Sequence, residues 1–504
     1  FFFQNGCLII GRSDKPHSGK VDILVKGNDL SKNKEAVAIV IMLIGHLGGL
    51  HLHGKKQMLY STKLRKTAQA GDLELETQNS VDWNVGDEIA IATSNYDVNQ
   101  TEIRKITAAS GKTIHLNSAL EYNHIVEANT LEDGRVYSLA ADVAVLTRSI
   151  RMIFDIPSVN QGMLTSASVH IGTNSYNQTL HTGLVQITNV EFICSGSPVA
   201  VTPPKVPHFA LKFNTVIQVS AEFTPFVKYC SFRYGAVGLF EVNGMDLEEN
   251  TIYYVMGQGI HVTGSNVRVV KNLVISSLWS NSINDSEWPA AIEVSEGSHI
   301  VLQDNVVAGF QRAGFRIKGE KCTENSSPST LWSGNEAYGG LYGVYMNKDG
   351  FQDCALVQGF LVWKCWDFGI YSQTPGSLII SNVTLVNNGM GIFTIVYSPP
   401  ATSHQISDKS VLVKNVRLLL MANSNRFQIL IDFMYMLIMK NVTHRSSSDT
   451  TFVNFKDVCN GEQNIIFMTN PLNEDLHHPI YLRGITLFNV KDEFKVFIHH
   501  PETR

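Results

Sequence analysis

A row of residues that could do chemistry follows a repeated Gly-Ile pair, or its equivalent, in the second half of the chain. In a β-helical coil the isoleucine would face the core, so the residue after it would face outward. Its positions in successive coils would form one row, about 4.8 Å apart per coil. The row consists of Phe240, His261, Glu293, Arg316, Tyr345, Tyr371 and Phe393.

This row predicts a surface that binds a ligand, and a polysaccharide fits it well. Aromatic rings stack on sugar rings, and Arg316 could bind the carboxylate of a uronic acid through two hydrogen bonds. Catalysis would use His261 or Glu293 as acid or base, with Arg316 stabilising charge. The plainer interpretation is a surface salt bridge between Glu293 and Arg316, worth about 0–1 kcal/mol, beside aromatic residues that cover an insertion.

Metal-binding patterns elsewhere in the chain are incomplete. His51 and His53 lie two apart on a predicted strand, hence on one face, and would need a third ligand to hold a metal. Asp82, Asp87 and Glu88 could ligate calcium, although acidic turn residues are more often solvated. The sequence contains no G-x-S-x-G, H-E-x-x-H, P-loop or dinucleotide-binding fingerprint. We therefore expect no cofactor, and calcium only if the protein is an enzyme.

A repeated sequence motif predicts the strands and corners that would position the row. It begins with Asn and β-branched or aromatic residues and ends in Gly-Ile or its equivalent, as from Asn250 to Gly259-Ile260. Successive Gly-Ile equivalents are separated by 21 to 32 residues. The shortest steps match one coil of a three-sided parallel β-helix, and longer steps indicate loop insertions. Asn and Gly suit tight left-handed corners, and an Asn amide can hydrogen-bond along the stack.

The chain is therefore predicted to be all-β, with two regions. Residues 1–125 contain short alternating strands separated by turn residues, which predict a small all-β module. Residues 126–500 predict a right-handed parallel β-helix with loop insertions. Within it, residues 414–445 lack turn punctuation and are predicted to be irregular.

Composition excludes several classes of protein. The 504 residues are 44% hydrophobic and 17% charged, which suffices for a large core. A net charge of −5 without a basic run argues against nucleic-acid binding. No run reaches the roughly 18 apolar residues that a membrane-spanning helix needs. The first residues lack the basic start of a signal peptide, and we expect a piece cut from a longer polypeptide.

Cysteines and glycosylation sequons are consistent with an extracellular chain. None of the seven cysteines forms a C-x-x-C pair, so a zinc or redox site has little support. Cys322 and Cys354 flank loops and are the pair that we expect to form a disulfide. N-glycosylation sequons permit secretion without proving it. They begin at Asn99, Asn177, Asn284, Asn325, Asn382 and Asn441.

Stretches in both regions resemble one known family. Gly48-Gly-Leu-His-Leu-His-Gly54 and Val81-Asp-Trp-Asn-Val-Gly-Asp-Glu-Ile89 are similar to the G8 domain, an all-β module, here expected to be truncated at its N-terminus. Asn305-Val-Val-Ala-Gly-Phe-Gln-Arg-Ala-Gly-Phe-Arg316 and Trp366-Asp-Phe-Gly-Ile-Tyr371 resemble the family of fibrocystin and fibrocystin-L. A G8 domain followed by a β-helix also occurs, more distantly, in cell-surface hyaluronidases.

The resemblance implies a piece of a very large single-pass membrane protein, or a secreted form of it, with most of its mass outside the cell. The first hypothesis is a non-catalytic receptor or adhesion ectodomain whose β-helix is a rigid surface for an extracellular protein or glycan. The second, taken from the hyaluronidases, is an enzyme that cleaves hyaluronan or another polysaccharide. The third is a structural spacer. None involves nucleic acid, and membrane attachment would come from other parts of the full-length protein.

Overall fold

The computed structural model divides the chain into two compact units. Unit 1 comprises Phe1–Glu127 and Ser138–Arg312, and unit 2 comprises Ala128–Tyr137 and Ala313–Arg504. The described residues are 7–26, 41–42, 49–130, 136–155, 169–176, 179–195, 209–217, 224–279, 288–322, 331–346, 350–351, 353–396, 409–419, 431–433, 442–454, 466–467 and 480–490.

Parallel strands stacked in register form the larger part of unit 1. One inward-facing row runs through Met152, Phe192, Phe232, Ile252 and Val274, each paired with the next. All five side chains are buried, and the Phe192 and Phe232 rings stack with centroids 4.7 Å apart. Every coil therefore contributes apolar side chains to one continuous core, as parallel sheets require. The sequence-based prediction of an all-β parallel β-helix is confirmed.

The parallel strands of unit 1 begin near the N-terminus of the chain. Val21–Lys26 pairs with Ile150–Asp155, and Gly49–His53 pairs with Cys7–Ile10 and Leu184–Thr188, all in parallel. The other strands of this stack are Ile41–Met42, Val169–Tyr176, Val190–Ser195, Phe209–Asn214, Phe226–Lys228, Ser231–Arg233, Ala236–Glu248, Thr251–Met256, Ile260–Val270, Leu273–Leu278, Ala290–Ser298, Val301–Gln303 and Val306–Ile317. Thr179–Thr182 forms an antiparallel hairpin with Val169–Tyr176.

This arrangement differs from the predicted module of residues 1–125. Strands before residue 54 pair in parallel and belong to the β-helix. The residues that follow them in the sequence, up to Ile150, form an antiparallel sheet instead. Its strands, in spatial order, are Ser61–Lys63, Asp142–Val145, Glu88–Ile91, Glu102–Ser110, Thr113–Leu116 and Glu74–Glu76. A separate two-stranded sheet consists of Val126–Thr130 and Val136–Ala140. The alternating strands were recognised correctly, but their partners lie too far along the sequence for a local pattern to reveal.

The antiparallel sheet has its own hydrophobic core. Leu75, Ile89, Ile91, Ile114 and Val143 are all 0% exposed in this cluster. Alternating side chains from both sides of each hairpin supply it, as half-buried antiparallel strands do. In the described part of the chain the helical structure is one 3₁₀ turn, Val98–Gln100, and no helix there is long and apolar enough to span a membrane.

Buried asparagines link successive coils of unit 1. Asn250 Nδ2 donates to Asn272 Oδ1 across 2.9 Å, and Asn272 Nδ2 donates to Asn305 Oδ1 across 3.0 Å. All three side chains are at most 2% exposed. Their backbone conformation, however, is not the left-handed one that the repeat suggested. The positive φ belongs to the residue before each asparagine, because that residue forms the corner and the asparagine then turns inward. These corner residues are Glu249, Lys271 and Asp304.

Unit 2, taken by itself, also consists mainly of parallel strands. Its strands are Glu320–Lys321, Trp332–Ser333, Asn335–Met346, Cys354–Thr374, Ser377–Val386, Met390–Val396, Lys409–Leu419, Ile431–Phe433, Val442–Ser448, Thr451–Val453, Ile466–Phe467, Ile480–Arg483 and Thr486–Phe488. Three of these lie in or overlap the segment 414–445 that was predicted to be irregular, and they pair in parallel register with their neighbours. The rest of that segment lies outside the described residues.

Candidate functional site

In unit 1, the predicted row contains a histidine and a carboxylate side by side. The register pairs His261 with Glu293. It places Gly238 beside His261, so Phe240 lies two residues further along its strand than the repeat predicted. The Phe240 ring nevertheless folds back over Gly238 and stacks on His261, with centroids 4.7 Å apart.

The His261–Glu293 pair has poor geometry for proton transfer. The closest approach is 3.9 Å, from Nδ1 of His261 to Oε2 of Glu293, which is too long for a hydrogen bond. The side chains are only 12% and 6% exposed, and Glu293 accepts a hydrogen bond from Gln258 Nε2. A general acid or base must reach the reacting atom, directly or through one water. Covered by Phe240 and held by Gln258, this pair is better suited to packing between coils.

The insertion that follows Leu278 is anchored at both ends. The guanidinium of Arg312 lies 4.5 Å from the ring centroid of Trp279 and 4.8 Å from that of Trp288. Gln311 Oε1 also accepts a hydrogen bond from the Trp279 backbone N–H at 2.7 Å. Cation–π contacts from one guanidinium to both rings hold the two ends of the insertion together. These two tryptophans therefore have a structural role.

In unit 2, the aromatic members of the row stack on one another. Tyr345 pairs with Tyr371, and Tyr371 pairs with Phe393. Both centroid distances are 5.2 Å, with interplanar angles of 18° and 11°. Tyr371 thus has a ring on each face. The sequence predicted that these faces would stack on sugars, but in Tyr371 they are already occupied by its neighbours. Arg316 is half-buried in the strand Val306–Ile317.

A second set of side chains enlarges this cluster and makes it a better candidate for binding. Tyr342 and Phe368 stack at 5.3 Å, and Phe368 lies 5.1 Å from Phe393. Between Gly340 and Tyr342 the register shifts, so the partner strand has one extra residue there. This bulge contains Trp366, which is 46% exposed, and Asp367. Bulges commonly redirect side chains at functional sites.

Polar groups lie on the strand of the exposed tryptophan and on the neighbouring strand. The Tyr342 hydroxyl donates a hydrogen bond to the Asp367 carboxylate, and Gln373 Nε2 donates to the Tyr371 hydroxyl at 2.7 Å. Burial raises the pKa of Asp367, and the hydrogen bond from Tyr342 offsets part of this rise. Burial, followed by the nearby Asp367 charge, raises the pKa of Tyr342. We call Tyr342, Trp366, Asp367, Tyr371 and Gln373 the Trp366 surface.

Sequence reasoning missed most of the Trp366 surface. The row included only Tyr371 of its five residues, because the row followed the strict alternation of a regular strand. A bulge breaks that alternation, and it has no fixed sequence signature. The available signal was the aromatic residues on both sides of Asp367, within one coil.

The metal and calcium candidates are engaged in other contacts. His53 is 3% exposed, and its Nδ1 lies 3.0 Å from Thr188 Oγ1. Burial, followed by the charge of His51, lowers the pKa of His53. Asp87 accepts hydrogen bonds from Asn84, and Glu88 forms ion pairs with arginine and lysine side chains. Asp82 accepts a hydrogen bond from a backbone N–H. No group of three potential ligands that could hold a metal occurs among the described residues.

The predicted disulfide pair and two of the sequons lie in the described residues. Cys322 and Cys354 form a disulfide, with their Cα atoms 5.4 Å apart. Asn99 and Asn382 are exposed. Four other sequon asparagines lie outside the described residues, namely Asn177, Asn284, Asn325 and Asn441.

Comparison with known proteins gives one partial match to a family model. The model of a family described as periplasmic copper-binding protein (NosD) matches residues 233–431. Among solved structures, the catalytic domain of a GH87 α-1,3-glucanase in complex with nigerose is 10% identical, with a TM-score of 0.41. That likeness covers 87% of this chain and 89% of the glucanase domain. At this score it carries no argument, and the fold rests on the strand register above.

Curated relatives match much more extensively. Fibrocystin-L of Mus musculus is 38% identical over 559 residues, which covers 99% of this chain and 13% of that protein. Fibrocystin of Canis lupus familiaris is 26% identical over 507 residues, 92% of this chain and 12% of that protein. A G8 domain-containing protein of Dictyostelium discoideum is 29% identical over 164 residues, 32% of this chain and 11% of that protein. The chain is therefore a relative of fibrocystin-L and fibrocystin, and it spans about an eighth of their length.

Proposed function

We propose that this chain is an extracellular, non-catalytic part of a larger receptor-like membrane protein, and that its β-helix presents a rigid surface for a neutral glycan. The kinship with fibrocystin-L supports the first half of this proposal. So does the disulfide between Cys322 and Cys354, because disulfides persist mainly in oxidising compartments. The observation that carries the second half is an exposed Trp366 beside the carboxylate of Asp367.

The composition of the Trp366 surface favours a sugar as ligand. A tryptophan ring is a large apolar face, and this one is 46% exposed. The carboxylate of Asp367, the next residue in the bulge, can accept hydrogen bonds from sugar hydroxyl groups. Small polar groups placed around an aromatic surface are a usual way to orient a polar ligand.

Charge favours a neutral glycan over an acidic one. Asp367 forms no ion pair with a cation among the described residues, so no positive charge there offsets that of its carboxylate. A uronate carboxylate placed beside Asp367 would meet a like charge, which disfavours binding. This argues against the uronic acid ligand that Arg316 suggested.

Catalysis by the His261–Glu293 pair has less support than binding. The two side chains are almost fully covered and are not hydrogen-bonded to each other. The hyaluronan-cleaving alternative needs one of them at an open face. Assays of binding and of cleavage can distinguish the two functions, because binding is assigned to Trp366 and cleavage to His261 and Glu293.

The binding test uses an array of neutral and anionic glycans probed with the secreted chain. We expect at least one neutral glycan to bind, and Trp366→Ala to weaken it by about tenfold, equivalent to about 1.4 kcal/mol. Tyr122→Ala, which removes a 37% exposed aromatic ring from the segment after the strand Thr113–Leu116, serves as the matched control and should leave binding unchanged. Asp367→Asn should retain neutral ligands and admit anionic ones.

Two results of the glycan experiments would overturn the proposal. One is binding of anionic glycans only, with Trp366→Ala and wild type equal. The other is shortening of fluorescent hyaluronan by the wild type, with loss of that activity in Glu293→Gln. The first result refutes the ligand class, and the second makes the protein an enzyme. Binding of a protein ligand, tested separately with the same variants and lost in Trp366→Ala, would also replace the glycan hypothesis.

A further inference from the structure

One corner of the helical stack in unit 2 lacks side chains in two successive coils. The register aligns Asn335 with Phe360 and Phe360 with Val383, so the residues just before them occupy the same corner. These are Gly334, Gly359 and Asn382, with φ values of 66°, 74° and 51°. Corner residues in the left-handed region favour Gly or Asn. Because two of these corner residues are glycines, the surface next to Asn382 is open on the side of the preceding coils.

The opening is a cleft of about 360 Å³. Its lining includes Trp332, Gly334, Gly359, Phe360, Leu361 and Asn382. The backbone of the neighbouring coil approaches this corner closely, since a Cβ on Gly359 would lie 2.7 Å from both the Trp332 carbonyl oxygen and the Ser333 Cα. This close approach therefore requires glycine at position 359, and the adjacent cleft combines apolar side chains with backbone polar groups.

Asn382 differs from the other asparagines of the repeat. Asn335 and Asn388 face the interior and are at most 1% exposed, and Asn388 accepts a hydrogen bond from the Cys365 backbone N–H at 2.9 Å. Asn382 is exposed, and its side chain has no hydrogen-bond partner among the described residues. It also begins the sequon Asn382-Val383-Thr384. An exposed, unengaged amide in a sequon can accept a glycan.

We propose that Asn382 bears an N-linked glycan and that the first sugar of this glycan fills the cleft beside Gly334 and Gly359. In the modification, Asn382 Nδ2 forms a bond to C1 of the sugar, and the bond from C1 to the diphosphate of a lipid-linked oligosaccharide donor breaks. One amide proton leaves with the diphosphate. The cleft is then occupied by the chain's own glycan and is not a site for an external ligand. This inference does not depend on the Trp366 surface, which is formed by other residues.

The site offers a matched pair of variants. Thr384→Ser keeps the sequon and Thr384→Ala destroys it, and neither changes the left-handed corner residue. Both proteins are secreted from a glycosylating host cell, and their high-mannose glycans are trimmed enzymatically to single N-acetylglucosamine residues. Peptide mapping by mass spectrometry then reports occupancy of Asn382 in each.

Hydrogen–deuterium exchange tests the position of the sugar. We expect Asn382 to be occupied in the wild type and in Thr384→Ser, with exchange of 331–334 and 358–361 slowed severalfold relative to Thr384→Ala. An unoccupied Asn382 in the wild type and in Thr384→Ser would overturn the modification. Full occupancy of Asn382 in the wild type and in Thr384→Ser, with exchange of 331–334 and 358–361 equal to that in Thr384→Ala, would overturn the placement of the sugar in the cleft. Glycan-array binding by Thr384→Ala should remain as in the wild type, which keeps this test separate from that of the proposed function.

Discussion

Asn272 donates a hydrogen bond from its Nδ2 to Oδ1 of Asn305, 3.0 Å away in the neighbouring coil, and both side chains are completely buried. Asn272 Oδ1 also accepts from the backbone N–H of Asn250 at 3.1 Å. The side chain thus satisfies polar groups of the coils on both sides. Buried amides of this kind fix the spacing and the register between coils.

Replacing Asn272 with alanine should therefore destabilise unit 1 by at least about 2 kcal/mol, because several buried polar groups lose their partners. The control is Asn243→Ala, where an exposed side chain accepts one hydrogen bond from Asn266 at 2.8 Å. The control should change the free energy of unfolding by less than about 0.5 kcal/mol. Urea denaturation of both variants measures the difference, and equal losses would contradict a special role for the buried ladder.

A buried ionic cluster in the antiparallel sheet gives a second prediction. Glu102 is 5% exposed, and it accepts hydrogen bonds from Arg104, from His124 Nε2 at 3.0 Å and from backbone N–H groups. Removing it in Glu102→Ala leaves Arg104 without its buried partner, which should cost about 3–5 kcal/mol. Glu121 also lies 3.5 Å from Arg104, but its side chain is 73% exposed. Glu121→Ala should cost at most about 1 kcal/mol in the same denaturation experiment.

The same carboxylate predicts a pH dependence. Burial by itself would raise the pKa of Glu102, but the hydrogen bonds from His124 and from backbone N–H groups, together with the Arg104 charge, lower it below the ordinary value of 4.5. A lowered carboxyl pKa stabilises the fold above pH 4.5 and ceases to do so as the pH falls through the folded-state value. Acidification from about pH 6 to about pH 3 should therefore destabilise the wild type more than Glu102→Gln. Parallel pH profiles would refute this assignment.

Alanine substitutions at two glycines with positive φ distinguish the cost of backbone strain from the cost of steric contact. Gly71 has φ 98°, and a Cβ added there would have no atom within 4 Å, so Gly71→Ala should cost only the left-handed strain of about 1–2 kcal/mol. Gly359 has φ 74°, and its Cβ would meet backbone atoms at 2.7 Å. Gly359→Ala should therefore destabilise unit 2 by distinctly more, about 3 kcal/mol or greater. A loss at position 359 no larger than that at position 71 would contradict the close backbone approach.

Periodicity in the sequence was sufficient to predict the parallel β-helix of the second half of the chain. The spacing of the Gly-Ile equivalents predicted a parallel β-helix, and the position after each pair predicted which residues of neighbouring coils meet. His261 does pair with Glu293, and Tyr345, Tyr371 and Phe393 do form one column. These relations follow from alternation along a strand and from the constant spacing between coils, both of which are local properties that a sequence contains.

Tertiary structure decided which of those residues are available for chemistry. The pairing of Val21–Lys26 with Ile150–Asp155 depends on a chain that leaves the stack, forms another sheet and returns, and no local pattern encodes such a return. Phe240 covers His261 because its ring folds back over Gly238, which has no side chain, and Trp366 is exposed in a bulge. Alternation fixes the side of a strand on which a side chain lies. Packing against distant segments determines whether that side is open. For this reason Tyr345, Tyr371 and Phe393 of the predicted row stack on one another, whereas the exposed side chain is that of Trp366 in the bulge.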